Sequence, residues 1–158
     1  MTLKKNLKTS ILFFLPYVFY VIIGSLQLFK ELDMGLDMYA NKTKHQPSSE
    51  VDFQVPENEE TQELWYWRKH PNLHGWMEDL YNKKGGQQEF NCVNVQLTVD
   101  DLDALERDLN ASRLPSTSGF FFGQSSGDLE EIQEDLKFVN DAREAIAEGY
   151  TVFYSSWW

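Results

Sequence analysis

The densest chemistry in this chain lies between positions 65 and 76, where Trp65, Tyr66, Trp67, Arg68, Lys69, His74 and Trp76 cluster. Tryptophan faces can hold a planar ligand, and Arg68 or Lys69 can take a phosphate or carboxylate. Trp65, Trp67, Arg68, Lys69, His74 and Trp76 are therefore candidates for a small-ligand pocket, suited to a nucleotide or a phosphorylated metabolite. The competing reading is an aromatic core strand with Arg68 stacked over a ring.

His70, His74 and Glu78 recur every four residues, the spacing of a metal-binding helix face. Pro71 pushes His70 out of the helical region and spoils that face, so no metal is expected. His70 then caps a helix and His74 bonds a neighbour. Ser125 and Ser126 lie in a loop, and no His or Asp is placed in the sequence so as to make either a convincing nucleophile. Triad partners meet only in the fold, so no catalytic residue is assigned and no cofactor is implied. Cys92 reads as a small core filler in a strand. Gly119-Phe-Phe-Phe-Gly123 lacks the spacing of a phosphate loop and reads as a short buried central strand. Arg143 falls on an apolar helical stripe and is expected to snorkel to solvent, or less readily to reach a carboxylate.

Carboxylates are the other conspicuous set. Asp100, Asp101, Asp103, Glu106 and Asp108 mark one helix; Glu130, Glu131, Glu134, Asp135, Asp141 and Glu144 mark another. Their ordinary role is a solvated outer face. The sharper reading makes Asp100, Asp101, Asp103, Glu130, Glu131, Glu134 and Asp135 a partner-binding face. Such a face imitates nucleic-acid phosphates and occupies the basic groove of a DNA-binding protein.

Around these residues the chain is 158 residues long with a net charge of −11. That balance argues against direct nucleic-acid binding, which needs clustered Lys and Arg. One cysteine makes no internal disulfide, and no Cys/His cluster suits structural zinc. Residues 11–29 carry no charge, and roughly 20 such residues cross a bilayer as a helix. Three readings compete for residues 1–33. A signal anchor keeps the N-terminus cytoplasmic and displays the remainder beyond an inner membrane, since Lys4, Lys5 and Lys8 precede the span. A cleaved signal peptide is weaker for want of a small-residue cleavage site. In the third, translation starts at Met34, since Lys30-Glu31 can encode a ribosome-binding sequence a short spacer upstream; the protein is then cytoplasmic. The four lysines and two carboxylates of residues 1–33 leave residues 34–158 with ten cations against 23 carboxylates, a net −13. The division is thus an apolar leader, 1–33, and an acidic domain, 34–158.

Within the acidic domain, residues from Met34 through Tyr39 read as an opening strand. Val51, Phe53 and Val55 alternate as another, and Glu63–Lys69 form an aromatic strand with Trp65 and Trp67 on one face. Pro71 starts a helix whose stripe is Leu73, Trp76, Met77, Leu80 and Tyr81, ended by Gly85-Gly86. Val93, Val95 and Leu97 alternate again. Thr98 caps a second helix with Val99, Leu102, Leu105 and Leu109 buried. A third helix runs from Asp128 to Glu148 on a stripe of Leu129, Ile132, Leu136, Val139 and Ile146, and residues 150–158 close as a strand. The expected fold is α+β: a small, mostly antiparallel sheet with about three helices on one face.

Met34-Gly-Leu-Asp-Met-Tyr39, Tyr66-Trp-Arg-Lys69, Leu73-His-Gly-Trp76, Ser118-Gly-Phe-Phe-Phe-Gly123 and Tyr154-Ser-Ser-Trp157 occur in that order. Together they resemble a family of small bacteriophage and bacterial proteins that open with Met-Gly-Leu-Asp-Met-Tyr and have no established activity. The resemblance covers residues 34–158 and implies Met34 as the initiator. The leading expectation is a small acidic accessory protein that binds a basic host protein. The alternatives are a ligand-binding protein or weak enzyme using the aromatic and cationic pocket, and a single-pass membrane protein. Membrane contact is expected only if residues 11–29 are translated and inserted.

Overall fold

The computed structural model describes residues 35–158, which pack as one unit. The expectations for residues 1–33 lie outside the described residues. In chain order the elements are β1 (Asp37–Thr43), β2 (Thr61–Arg68), α1 (Pro71–Lys83), β3 (Val95–Leu97), α2 (Val99–Asn110), α3 (Leu129–Ala147) and β4 (Thr151–Trp157). The four strands form one antiparallel sheet in the order β2-β1-β4-β3. With three helices against it, the fold is α+β. No helix among the described residues is long and apolar enough to cross a membrane.

Register explains which side chains meet the helices. Cross-strand partners share a face, so the pairs Met38↔Trp67, Met38↔Ser156, Ala40↔Trp65, Ala40↔Tyr154 and Val95↔Tyr154 set Trp65, Trp67, Met38, Ala40, Tyr154 and Val95 on one side. Phe138 of α3 packs edge-on against Trp67 at 4.7 Å between centroids, and His74 of α1 stands 2.9 Å from the Tyr154 hydroxyl. Helix α2 adds Leu102, Leu105 and Leu109 to the same core. On the opposite face Phe153 is covered by Phe53, 5.4 Å away. The register of β2 on β1 shifts between Ala40 and Asn41, where Leu64 is the extra residue of a bulge.

Local chemistry fixes the helix ends. Pro71 opens α1, where its missing N–H costs nothing. Thr98 and Asp101 form a reciprocal capping box on α2, and Asp128 accepts the Glu131 N–H at the start of α3.

Several sequence expectations change. Residues 119–123 are loop, not a buried strand, and Phe120 is 91% exposed. Both interior places of the sheet belong to β1 and β4, so no strand pair is open for a glycine-bounded run of three. Val51–Val55 yields only an isolated bridge, Val51↔Val95, because Asp52 takes a φ of 57° and turns the chain out of extended conformation. Cys92 is exposed, with a φ of 58°, in the turn before β3, so it fills no core. Val99 and Leu129, the first residues of α2 and α3, are exposed because each helix meets the core only after its first turn. On α3 the buried line is Asp135, Phe138, Val139, Ala142 and Ala145.

Candidate functional site

Strand β2 delivers its C-terminal end to the start of α1 through one left-handed residue, Lys69, with a φ of 60°. The Lys69 N–H donates to the Leu36 carbonyl at 2.8 Å, which holds the turn on β1. His70 follows as the N-cap of α1 and is 5% exposed. Its ring is contacted from two other elements. The loop after α2 contributes Ser125, whose Oγ is 2.8 Å from His70 Nδ1. Helix α3 contributes Asp135, whose Oδ2 is 2.9 Å from Nε2, and Glu131, whose Oε1 is 3.2 Å from the same nitrogen.

Obligate donors and acceptors fix the proton positions. The carboxylates only accept, so Nε2 carries the hydrogen and donates to Asp135. The Leu73 N–H points at Nδ1 from 3.4 Å, so Nδ1 bears the lone pair. The Asn72 N–H donates to Ser125 Oγ at 3.0 Å. Ser125 therefore donates its own O–H to Nδ1. The second Asp135 oxygen, Oδ1, accepts the Trp67 indole N–H at 3.0 Å. Every polar atom of this buried group has a partner, as a water-excluded network requires.

Two concavities meet at His70 and Glu131. One is a cavity of about 80 Å³ reached by Ser125, with Leu109, Leu114 and Ile132 as its apolar walls. The other is a groove of about 420 Å³ bordered by Trp65–His70 on one side and by Asp128, Glu130, Glu131 and Glu134 on the other. The groove follows β2, whose outer edge pairs with no strand among the described residues.

The ligand set proposed by sequence is divided. Trp65, Trp67, Arg68 and Lys69 line the groove. Trp67 is nonetheless mostly core, and Lys137 stands 5.2 Å over the Trp65 ring. Arg68 is held by Asp37 at 2.6 Å on the sheet face away from the helices, where Tyr66 donates to the same Asp37 oxygen. His74 is 1% exposed, stacked on Phe90, and burial lowers its pKa to about 4. It is a neutral core histidine that bonds a neighbour, Tyr154. Trp76 lies elsewhere and donates to Asp108 at 3.0 Å.

The carboxylates are divided as well. Asp135 is not on an outer face: it is 1% exposed beneath His70 and Trp67. Its place three residues after Ile132 and three before Phe138 turns it inward with them. Lys84 holds Asp101 at 2.5 Å; desolvation opposes ionisation there, yet the hydrogen bonds from Lys84 and Thr98 keep its pKa below the ordinary value. Arg143 bridges Asp103 and Glu106, both at 2.6 Å, and so reaches carboxylates rather than running free to solvent. Asp100 borders a third depression, between α1 and α2, together with Lys83, Arg107 and Arg113. Glu130 and Glu134 are exposed and face the groove. No cluster of three His, Cys, Asp or Glu side chains among the described residues is arranged to hold a metal ion.

The Ser125–His70–Asp135 contacts join residues 55 and 65 positions apart, a juxtaposition that no sequence spacing announces. One signal was present: a carboxylate on the buried side of α3 needs a polar partner. No family model matches the chain, and neither a curated protein nor a solved structure matches it.

Proposed function

We propose that this chain is a small acidic accessory protein of phage or bacterial type that acts by binding a basic segment of a partner protein, a host protein in the phage setting. What supports this reading is the groove along β2. A strand edge that is unpaired among the described residues runs there beside the exposed carboxylates Asp128, Glu130 and Glu134. An extended peptide added to such an edge gains main-chain hydrogen bonds, and alternate side chains reach the wall beside it. Lysine or arginine at those alternate positions meets the α3 carboxylates, and the aromatic rings of β2 accept the apolar stems.

The small anionic ligand is less well supported. Asp37 already engages Arg68, four carboxylates border the groove, and His74 and Trp76 lie outside it. A phosphate in that groove meets mainly repulsion.

The test is fluorescence anisotropy of the full chain with a labelled ten-residue peptide alternating Lys and Val, against a Glu/Val control. Saturable binding of the basic peptide that weakens with salt is expected, with at least a tenfold loss in Glu130→Lys/Glu134→Lys. Equal binding of both peptides, or a charge-reversed variant that binds unchanged, overturns the reading.

A further inference from the structure

We propose that Ser125 is an acyl-accepting nucleophile and that the chain hydrolyses short-chain esters with His70 as its base. The proposal rests on the smaller concavity, at Ser125, and is independent of peptide binding in the groove. Its parts are a serine hydroxyl 2.8 Å from an imidazole nitrogen, a carboxylate 2.9 Å from the other nitrogen, and a cavity at the serine. This is the order of contacts in a Ser-His-Asp triad. The ring is turned, so that Nδ1 faces the serine and Nε2 the aspartate. The roles are the same from either nitrogen, because each carries one lone pair or one hydrogen.

Hydrogen bonding orients each member. Ser125 Oγ accepts from the Asn72 N–H, which leaves its own hydrogen for Nδ1. Asp135 is a positioning residue, held by the Trp67 indole on Oδ1 so that Oδ2 faces His70. A helix cap alone needs an acceptor at His70, which Leu73 already uses. It needs neither a buried carboxylate behind the ring nor a cavity in front of the serine.

In the first half-reaction Ser125 Oγ bonds to the ester carbonyl carbon while its proton passes to His70 Nδ1. The carbonyl electron pair moves onto oxygen near the start of α1, where the partial positive charge of the helix end stabilises an anion. The pair returns, the carbon–alkoxide bond breaks, and the leaving oxygen takes the proton from Nδ1. Water then repeats the sequence on acyl-Ser125: it gives a proton to Nδ1, its oxygen bonds to the carbonyl carbon, and Ser125 leaves with that proton. Ester and water become acid and alcohol.

Leu109, Leu114 and Ile132 give the cavity apolar walls for the acyl chain. Its volume of about 80 Å³ suits a chain of roughly four carbons, since about 150 Å³ accommodates a benzene ring.

The experiment treats the wild-type full chain with a fluorophosphonate and maps the product by peptide mass, with chymotrypsin as the labelling control. Turnover of p-nitrophenyl butyrate and p-nitrophenyl octanoate is followed in parallel. One phosphonyl group on Ser125 and faster turnover of the butyrate are expected. Ser125→Ala should lose about 1000-fold or more in turnover. Asp135→Asn should lower kcat and alter the shape of its pH profile, since the carboxylate orients the His70 base, whereas partial unfolding scales kcat and leaves KM unchanged. The folded fraction is matched to wild type by circular dichroism. An unlabelled Ser125 beside a labelled control overturns the proposal, as does ester turnover that survives Ser125→Ala. The wild-type mapping does not depend on how any variant folds.

Discussion

The Trp67 indole of β2 donates to Asp135 of α3 across 3.0 Å, and the same carboxylate accepts the His70 ring N–H on its other oxygen. One buried acid thereby ties the edge strand, the start of α1 and the longest helix together. Asp135→Ala leaves the buried Trp67 N–H without its acceptor and the His70 N–H with only Glu131, 3.2 Å away, and should cost about 3 kcal/mol. Asp135→Asn keeps an oxygen for Trp67 and should cost about half as much. Urea unfolding of both variants measures this. Equal losses would show that the carboxylate is not the junction described.

Acid should weaken the fold through His74. Burial holds its pKa at about 4, against 6.5 for the free side chain. The unfolded chain therefore binds the extra proton first. Stability is full above pH 6.5 and declines as pH falls from there towards 4, by about 3 kcal/mol in all. Unfolding free energies across that window check the slope, and His74→Leu should flatten it. An unchanged slope in that variant would assign the effect to other groups.

Gly75 is placed in α1 by contact rather than by propensity. A Cβ there would lie 1.9 Å from Thr117 Oγ1. Helix propensity favours alanine over glycine by about 1 kcal/mol, but the overlap outweighs it, and Gly75→Ala should destabilise by about 2 kcal/mol. Adding Thr117→Ala should recover part of the loss, and thermal melts of the single and double variants decide it. A stabilised Gly75→Ala contradicts the packing.

Lys69 adopts a left-handed φ of 60°. Lys69→Gly should therefore be neutral or stabilising by roughly 0.5 kcal/mol, since glycine has no Cβ to strain there. Lys69→Val should destabilise by more than about 1 kcal/mol, because a branched side chain tolerates that conformation least. Matched denaturation curves test the opposite signs.

Local signals carried most of the architecture. Pro71, the Thr98 cap, the Asp128 cap and the alternation around Trp65 and Trp67 each act within a few residues, and each element they announce is present. Misreadings arose where an apolar run met a backbone that could not pair. Phe120 to Phe122 have hydrophobicity enough for a strand, but the interior places of the sheet are taken by β1 and β4, and Asp52 interrupts an otherwise regular alternation. For the site, the β2 residues were legible because they are adjacent in sequence. The network of His70, Ser125 and Asp135 was not, since it exists only once a loop and a helix have folded back on α1. Residue type groups Asp135 with its acidic neighbours, whereas the helical turn sorts residues by angle.

The strand order has a consequence for how the protein is made. Strand β4, residues 151–157, lies between β1 and β3. During synthesis β1 and β2 can zip into a hairpin early, while β3 waits for β4, its partner strand among the described residues. The sheet is thus closed by residues translated more than a hundred positions after its first strand, a non-local step that slows folding. Until residue 157 is clear of the ribosome, the greasy undersides of three helices have an incomplete floor, and holdase chaperones have their longest opportunity on this chain.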